Sequence, residues 1–358
     1  MKRAWEAFAA VTAAALAVCG AAAERPLNVM ATTTPVGDVV RRVGGEDIAL
    51  TVLIPPGADP HAWQPRPADV ARMTRADVVF TNGLGLEEFL APVLRMPEIA
   101  PRTVALSEGI EPRRFGGKAH GHGHAAGEPD GGHGHGHAHG EAHGHDDGHA
   151  RERADDAAPQ DGHAGGGHAH HGHQTHGHHH EAGEPDPHVW FDPAHLRHWA
   201  ARVEQALAAR RPERAEAFAA RRARFDAEME ELDAWIRTEV AAIPPERRVL
   251  ATDHEVLGYF ADRYGFRLAG TVIPGLSTLA QPSARELARF ERRLRDEGIP
   301  ALFVGVGTNP AIARRISADT GVPVVALYTG ALSGPDGPAP DLAAFLRHNV
   351  RAIVRALR

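Results

Sequence analysis

Three histidines in this chain stand in settings suited to metal chemistry. His61 lies in Pro55-Pro56-Gly57-Ala58-Asp59-Pro60-His61-Ala62-Trp63-Gln64-Pro65, His188 in Asp186-Pro187-His188-Val189-Trp190-Phe191-Asp192-Pro193, and His254 in Thr252-Asp253-His254-Glu255. A neutral imidazole offers one lone pair to a cation, and zinc takes about four such donors in a tetrahedron. Prolines frame the backbone around His61 and His188, which limits the entropy lost when a cation arrives. Taken singly, each histidine reads as an ordinary core or surface residue. Three on rigid loops or strand ends, in both halves of the chain, point to one shared site. The single cysteine, Cys19, excludes an intramolecular disulfide and a Cys-x-x-Cys zinc site. Imidazole and carboxylate must do the work.

Other clusters carry weaker signals. His195 and His198 at i, i+3 would share a helix face, where an exposed polar face is the simpler reading. Trp63 and Trp190, each two residues from a candidate ligand, together with Tyr259 and Phe260, are candidate walls of a binding cleft. Nineteen of the 25 histidines fall between His120 and His180. That stretch, 118–181, is almost wholly Gly, His, Ala, Asp and Glu. It has no apolar periodicity with which to offset the entropy of ordering, so it reads as a disordered insertion that collects metal weakly.

The elements that must position these residues are legible on either side of the tract. Strands are expected at 27–31, 48–54, 77–80 and 103–106, and again at 248–251, 267–271, 301–304 and 324–327. Helices are expected between them, at 37–43, 67–75, 255–264, 283–297 and 310–320. Strands alternating with helices predict two α/β lobes, each a four-stranded parallel sheet flanked by helices. His61 and His254 then sit beyond the carboxyl ends of strands, where open α/β sheets bind ligands. Between the groups, 193–244 is helical. Pro212 breaks it and starts a second helix, on which Phe218, Phe225, Met229, Leu232 and Ile236 recur at helical spacing. This rod of about 28 residues (212–240), ~40 Å long at 1.5 Å per residue, joins the lobes. The boundaries expected are 24–192 for the first lobe, with the tract inserted, and 245–358 for the second.

Charge and termini narrow the function. A net charge of −7 offers no basic face to nucleic acid or anionic lipid. Lys2 and Arg3, the apolar run 7–18 and Ala21-Ala22-Ala23 read as a cleavable signal peptide, 1–23, so the protein is expected in the periplasm. A lipoprotein reading would acylate Cys19, but Val18 stands where a small residue is wanted.

The segments Gly57-Ala58-Asp59-Pro60-His61, Asp186 to Pro193, and Asp253-His254-Glu255-Val256-Leu257-Gly258-Tyr259-Phe260 with Tyr264-Gly265-Phe266 resemble the signatures of one family. It is the zinc/manganese substrate-binding proteins of ABC transporters, of the ZnuA and AztC kind. Gln281-Pro282-Ser283 and Asn349 extend the likeness over nearly the whole chain outside the tract. The resemblance implies two α/β lobes joined by a backbone helix, metal in the cleft between them, and His61, His188 and His254 as ligands. It also implies an ABC permease as partner and a monomer, with a periplasmic zinc chaperone as a further partner. Manganese relatives carry Glu at the third position; His254 favours Zn²⁺. The family's usual fourth ligand, an Asp in a Tyr-Thr-Asp-Ser-like segment, is replaced here in Tyr328-Thr329-Gly330-Ala331. A bound water is the first choice for that position, with Asp341, Asp336, Glu255 or a tract histidine as alternatives.

Zinc capture for a permease is thus the leading function. Binding of manganese or another divalent metal is the alternative within the family. A zinc hydrolase would need a placed general base; no His-Glu-x-x-His occurs, and Glu255 adjoins a ligand on a diverging side chain. A zinc buffer built on the tract alone would leave two complete lobes without a role.

Overall fold

The inner strands of each sheet are mostly apolar because both of their faces are covered. In β1 (Leu27–Ala31), Val29 and Ala31 enter one apolar layer and Met30 the opposite one. The same alternation recurs in β5 (Val249–Thr252), where Leu250 faces one layer and Val249 and Ala251 the other. The computed structural model describes residues 25–115, 183–273, 281–308 and 310–358. All of these belong to one compact unit. The expected signal segment and the histidine tract lie outside the described residues.

Among the described residues the first lobe contains β1, α1 (Thr34–Gly44), β2 (Ile48–Val52), α2 (Pro67–Met73), β3 (Val78–Thr81), a short α3 (Ala91–Leu94) and β4 (Thr103–Ala105). The chain then passes through α4 (Pro193–Arg210) and α5 (Ala215–Ala241). The second lobe holds β5, α6 (Gly258–Tyr264), β6 (Arg267–Thr271), α7 (Ala284–Asp296), β7 (Leu302–Gly305), α8 (Pro310–Thr320), β8 (Val324–Leu327) and α9 (Leu342–Leu357). Both sheets are parallel and share one order, β2-β1-β3-β4 and β6-β5-β7-β8. The expected fold class is therefore the observed one.

Local chemistry moves some boundaries. Helix α1 starts at Thr34, ahead of the expected 37, because the Thr33 hydroxyl accepts the Val36 N–H and Pro35 suits the first turn. Helix α6 starts only at Gly258, not at 255, since residues 254–257 form the turn that presents His254. Pro212 opens a short 3₁₀ turn, Pro212–Arg214, and α5 begins after it. Ser283 and Glu286 form a reciprocal capping box on α7, which gives the Gln281-Pro282-Ser283 segment its local role. Helix α9 was not among the expected elements; Leu342, Phe345, Leu346, Val350 and Ile353 bury its inner face.

One apolar core runs through both lobes. It takes Val36, Val39 and Val40 from α1, Phe218, Phe225, Met229, Leu232 and Ile236 from α5, and Phe345, Leu346 and Ile353 from α9. Helix α5 is also pinned by charge at both ends of its reach. Asp47 of the first lobe pairs with Arg214 at 2.7 Å and Arg221 at 2.8 Å. Asp233 of α5 receives Arg263 and the Tyr264 hydroxyl of the second lobe, each at 2.8 Å. Hydrogen bonds stitch the lobes directly: Leu332 N–H to Thr34 Oγ1 at 2.8 Å, Gly57 N–H to the Leu332 carbonyl at 3.0 Å, and Leu342 N–H to Asp38 at 3.0 Å. A shared core with these ties resists hinge opening.

Candidate metal centre

Two of the three histidines sit on the same local device. In Asp59-Pro60-His61 and in Asp186-Pro187-His188, the Asp carboxylate accepts the histidine N–H two residues on, at 2.9 Å in both cases. This is an Asx turn, with the intervening proline fixing its own φ. His61 thereby stands on the loop after β2, and His188 just before the 3₁₀ turn Val189–Phe191 that enters α4. His254 follows β5, with the Thr252 hydroxyl donating to its carbonyl at 2.7 Å.

The fold brings the three together. One ring nitrogen from each of His61, His188 and His254 lies within 4.8 Å of the others. The Nε2 atoms of His61 and His188 are 3.3 Å apart, and the ring centroids are 5.4–5.9 Å apart. His188 and His254 are buried, and His61 is half-buried. Beside His61 and His254 a cavity of about 30 Å³ remains, bordered by Asp59, Pro60, Thr329 and Gly330. Since ~10–15 Å³ holds a water, the space suits an ion and its last ligand.

The buried histidines are oriented by carboxylates. His188 Nδ1 is 2.8 Å from Asp186 Oδ1, and His254 Nδ1 is 2.8 Å from Asp253 Oδ1. An Nδ1–H donated to each carboxylate leaves Nε2 as the lone-pair donor facing the cluster. Burial alone would lower the His254 pKa, but the Asp253 charge and hydrogen bond outweigh it and raise it. His188 is lowered well below its ordinary value, by burial and by the neighbouring His254. Burial pushes Asp186 up to about 7, against the His188 N–H and the Arg113 guanidinium. Asp253 goes the other way: His254, the Gly305 N–H and the Thr308 hydroxyl overcome its burial and lower it.

Further residues hold the site in place. Arg113 reaches Asp186 at 3.5 Å, Glu255 at 3.4 Å and Asp262 at 2.7 Å, so one guanidinium ties the His188 segment to the His254 turn and to α6 after it. Gly258 makes room for it: a Cβ there would also lie 2.7 Å from the Arg113 Cζ. The Tyr259 hydroxyl donates to the Asp186 carbonyl at 2.8 Å and accepts the Arg113 N–H at 3.0 Å. Behind His188, Asn82 donates to the Pro187 carbonyl at 3.1 Å, and the buried Glu87 accepts the Asn82 N–H at 2.7 Å.

Several expectations change in the folded chain. Trp190 does wall His188, with ring centroids 5.2 Å apart, and its Nε1 donates to the Thr329 carbonyl at 2.9 Å. Trp63 instead packs on Phe89 in the apolar layer on the other face of the first sheet. Phe260 is plain core against Tyr264 and Phe266. His195 turns its ring to Tyr259, at 5.1 Å between centroids, while His198 Nε2 meets the Glu108 carbonyl at 2.8 Å, so the two do not form a metal pair. Asp341 caps α9 by accepting the Ala344 N–H at 2.8 Å, Glu255 pairs with Arg113, and Asp336 is exposed. None of these carboxylates joins the histidine cluster. Asp186, Asp253 and Arg113 were not singled out from the sequence. The first two left a signal, a carboxylate two residues or one residue ahead of a ligand candidate; Arg113 left none.

Comparison with known proteins identifies the family and the fold. The family model described as ZnuA, zinc-uptake complex component A, periplasmic, matches residues 29–356. The manganese-binding lipoprotein MntA of Bacillus subtilis is 25% identical over 95% of this chain and 92% of its own length. The zinc-binding protein TroA of Treponema pallidum is 25% identical over 79% of this chain and 71% of its own. The solved structure of that periplasmic zinc binding protein superposes with a TM-score of 0.69 at 22% identity, covering 93% of this chain and 99% of the other. A manganese-bound periplasmic metal binding protein from Candidatus Liberibacter asiaticus gives a TM-score of 0.67 at 19% identity, over 93% and 100%. A model matching nearly the whole described chain fixes the family: the chain belongs to the ZnuA family, whose members are transport components rather than enzymes, and is a metal-binding substrate-binding protein that acts with an ABC transporter permease.

Proposed function

We propose that this protein captures Zn²⁺ after export to the periplasm and delivers it to its ABC permease, with His61, His188 and His254 as the ligands. The observation that carries the reading is the donor set. Three imidazoles converge, and no carboxylate joins them among the described residues. Imidazole suits zinc, whereas manganese prefers carboxylate and water. The carboxylates on the Nδ1 side of His188 and His254 favour the same reading, because such partners fix the tautomer and raise ligand basicity. Zn²⁺ is cargo here, bound and released unchanged. The stitched lobes favour release by small movements at the site over wide opening. Export rests on the signal-like segment 1–23, and the protein acts as a monomer, with a zinc chaperone as an additional partner.

The manganese reading draws on the relatives named for that metal. Competition titration decides between them. The full chain, the His61/His188/His254 triple alanine variant and a chain lacking 118–181 are titrated with Zn²⁺ and Mn²⁺ against a chelator. One tight zinc site is expected in the full chain and the deletion, and none in the triple variant. Tighter binding of Mn²⁺ than of Zn²⁺, or tight 1:1 zinc binding by the triple variant, would overturn the proposal.

A further inference from the structure

Glu87 is a buried acid, 5% exposed, at the end of an unusual turn. Gly83, Leu84 and Gly85 all have left-handed backbone, with φ of 89°, 54° and 84°. Leu84 is the only non-glycine residue with positive φ among the described residues. A leucine holds that conformation against the crowding of its own Cβ, so surrounding contacts must impose it. The Glu87 carboxylate supplies them. Its Oε1 accepts the Asn82 N–H and the Thr32 hydroxyl, each at 2.7 Å, and its Oε2 accepts the Gly83 N–H at 3.0 Å. Successive N–H groups wrapped on an anion form a nest, filled here by a side chain of the same loop.

Two ligand segments hang on this loop. The buried Asn82 amide donates to the Gly83 carbonyl at 2.8 Å and to the Pro187 carbonyl at 3.1 Å. Both partners are acceptors, so Nδ2 must face them, and Oδ1 is left buried with no partner among the described residues. An amide held in an orientation that strands its own acceptor adds little to stability. What it does hold is the peptide between Pro187 and His188. Asn82 grips the carbonyl, while Asp186 accepts the N–H at 2.9 Å. Because a peptide is planar, this grip sets the direction in which the His188 side chain leaves the backbone. On its other side the network reaches Thr32, just past β1, whose carbonyl accepts the Ile54 N–H at 3.0 Å. Ile54 is where the chain leaves β2 for the His61 loop. Glu87 therefore joins the root of the His61 loop to the His188 peptide, much as Arg113 joins the His188 segment to the His254 turn.

We propose that Glu87 and Asn82 are positioning residues for metal binding. They act through the backbone of the ligand segments and fix His188 relative to His61 before the ion arrives. The inference rests on the assignment of the three histidines as metal ligands.

Three measurements on the full-length chain test this: Zn²⁺ titration against a chelator, the visible spectrum after substoichiometric loading with Co²⁺, and metal-free melting. Asn82→Ala is expected to bind Zn²⁺ about tenfold more weakly and to alter the cobalt spectrum. It should still melt within a few degrees of wild type, because the amide it removes leaves an acceptor unpaired. Glu87→Gln should match it in affinity and spectrum, with a larger drop in melting temperature. The two residues act in series, so the double variant should bind little worse than the weaker single one. Thr32→Val should bind severalfold more weakly, and Thr32→Ser, which keeps the hydroxyl, should behave as wild type. Should Glu87→Gln not fold, Asn82→Ala and the Thr32 pair decide. Wild-type affinity and spectrum in Asn82→Ala overturn the proposal. So do additive losses in the double variant, or equal losses in Thr32→Val and Thr32→Ser. An unchanged cobalt spectrum in His188→Ala would overturn the ligand assignment, and the positioning role with it; the other outcomes strike the positioning role alone.

Discussion

The two lobes are built on the same sheet order, yet they present their histidines differently. His254 in the second lobe is buried, and its Nδ1 lies against Asp253, which in turn is held by the Gly305 N–H at 2.9 Å and the Thr308 hydroxyl at 2.8 Å. His61 in the first lobe is half-buried on a proline-rich loop, and its anchorage is the turn at Asp59. His188, from the chain entering the helical connection, resembles His254 with its own carboxylate at 2.8 Å. Two donors are thus preset by buried partners, while the third comes from the solvent side on a loop. An arrangement of this kind lets a cation meet a rigid pair first and be closed over by a third ligand.

The largest effect that can break this comparison is loss of a ligand. Apparent zinc-binding energies of ~10–16 kcal/mol shared over four ligands give ~3 kcal/mol each, or about a hundredfold in affinity. His188→Ala and His254→Ala are expected to lose at least that much in a chelator competition. His61→Ala should lose less, because the preset pair survives. Equal losses at all three positions would erase the distinction between the lobes.

Removal of the orienting carboxylates comes next. Asp253→Asn and Asp186→Asn are each expected to weaken zinc binding ~10–100-fold. Asp59→Asn should cost clearly less, since an asparagine oxygen can still accept the His61 N–H. Calorimetric titration of the three variants ranks them.

Acid should act through His254 before His188. The His254 pKa is raised and the His188 pKa lowered, and a metal needs the neutral imidazole. As the pH falls through the raised His254 value, one proton competes for the site and affinity drops by about tenfold per pH unit. A steeper, two-proton slope over the same range would mean that the His188–Asp186 pair takes up a proton there as well. Histidine signals in NMR of the metal-free protein would assign the order directly.

The smallest effect is expected at Arg113, which ties the His188 segment to the His254 turn and α6. Arg113→Lys keeps the charge but not the three-way fork. Zinc affinity should fall only severalfold, while thermal denaturation of the metal-free protein falls by a few degrees. If affinity fell as far as in Asp186→Asn, the guanidinium would be setting the ligand geometry rather than supporting it.

Much of the architecture was legible without coordinates. Each expected strand is present within a residue or two; the inner ones are the plainest, because a strand covered on both faces is apolar nearly throughout. The spacing of Phe218, Phe225, Met229, Leu232 and Ile236 identified α5 for a similar reason: one helix face meets the shared core along its length. The three candidate ligands were recognisable from their settings. Their local turns, an Asp two residues ahead of both His61 and His188, are written in consecutive residues.

What the sequence by itself determined is therefore what depends on neighbours in the chain: periodicity, caps, turns, and which histidines stand on rigid backbone. Only the tertiary structure decided that residues 61, 188 and 254 share one point, that Trp63 leaves that point while Trp190 stays, and that Arg113 reaches three acids on two segments. The glycine at 330 shows the division most sharply. Its identity was plain in the sequence, but its neighbour, the ring of Pro60 lying 270 residues earlier in the chain and 2.7 Å from a Cβ built there, is met only once two loops are folded against each other. Local patterns record the short-range energetics of the backbone; contacts between distant segments are set by the packing of the whole core, which no window of sequence contains.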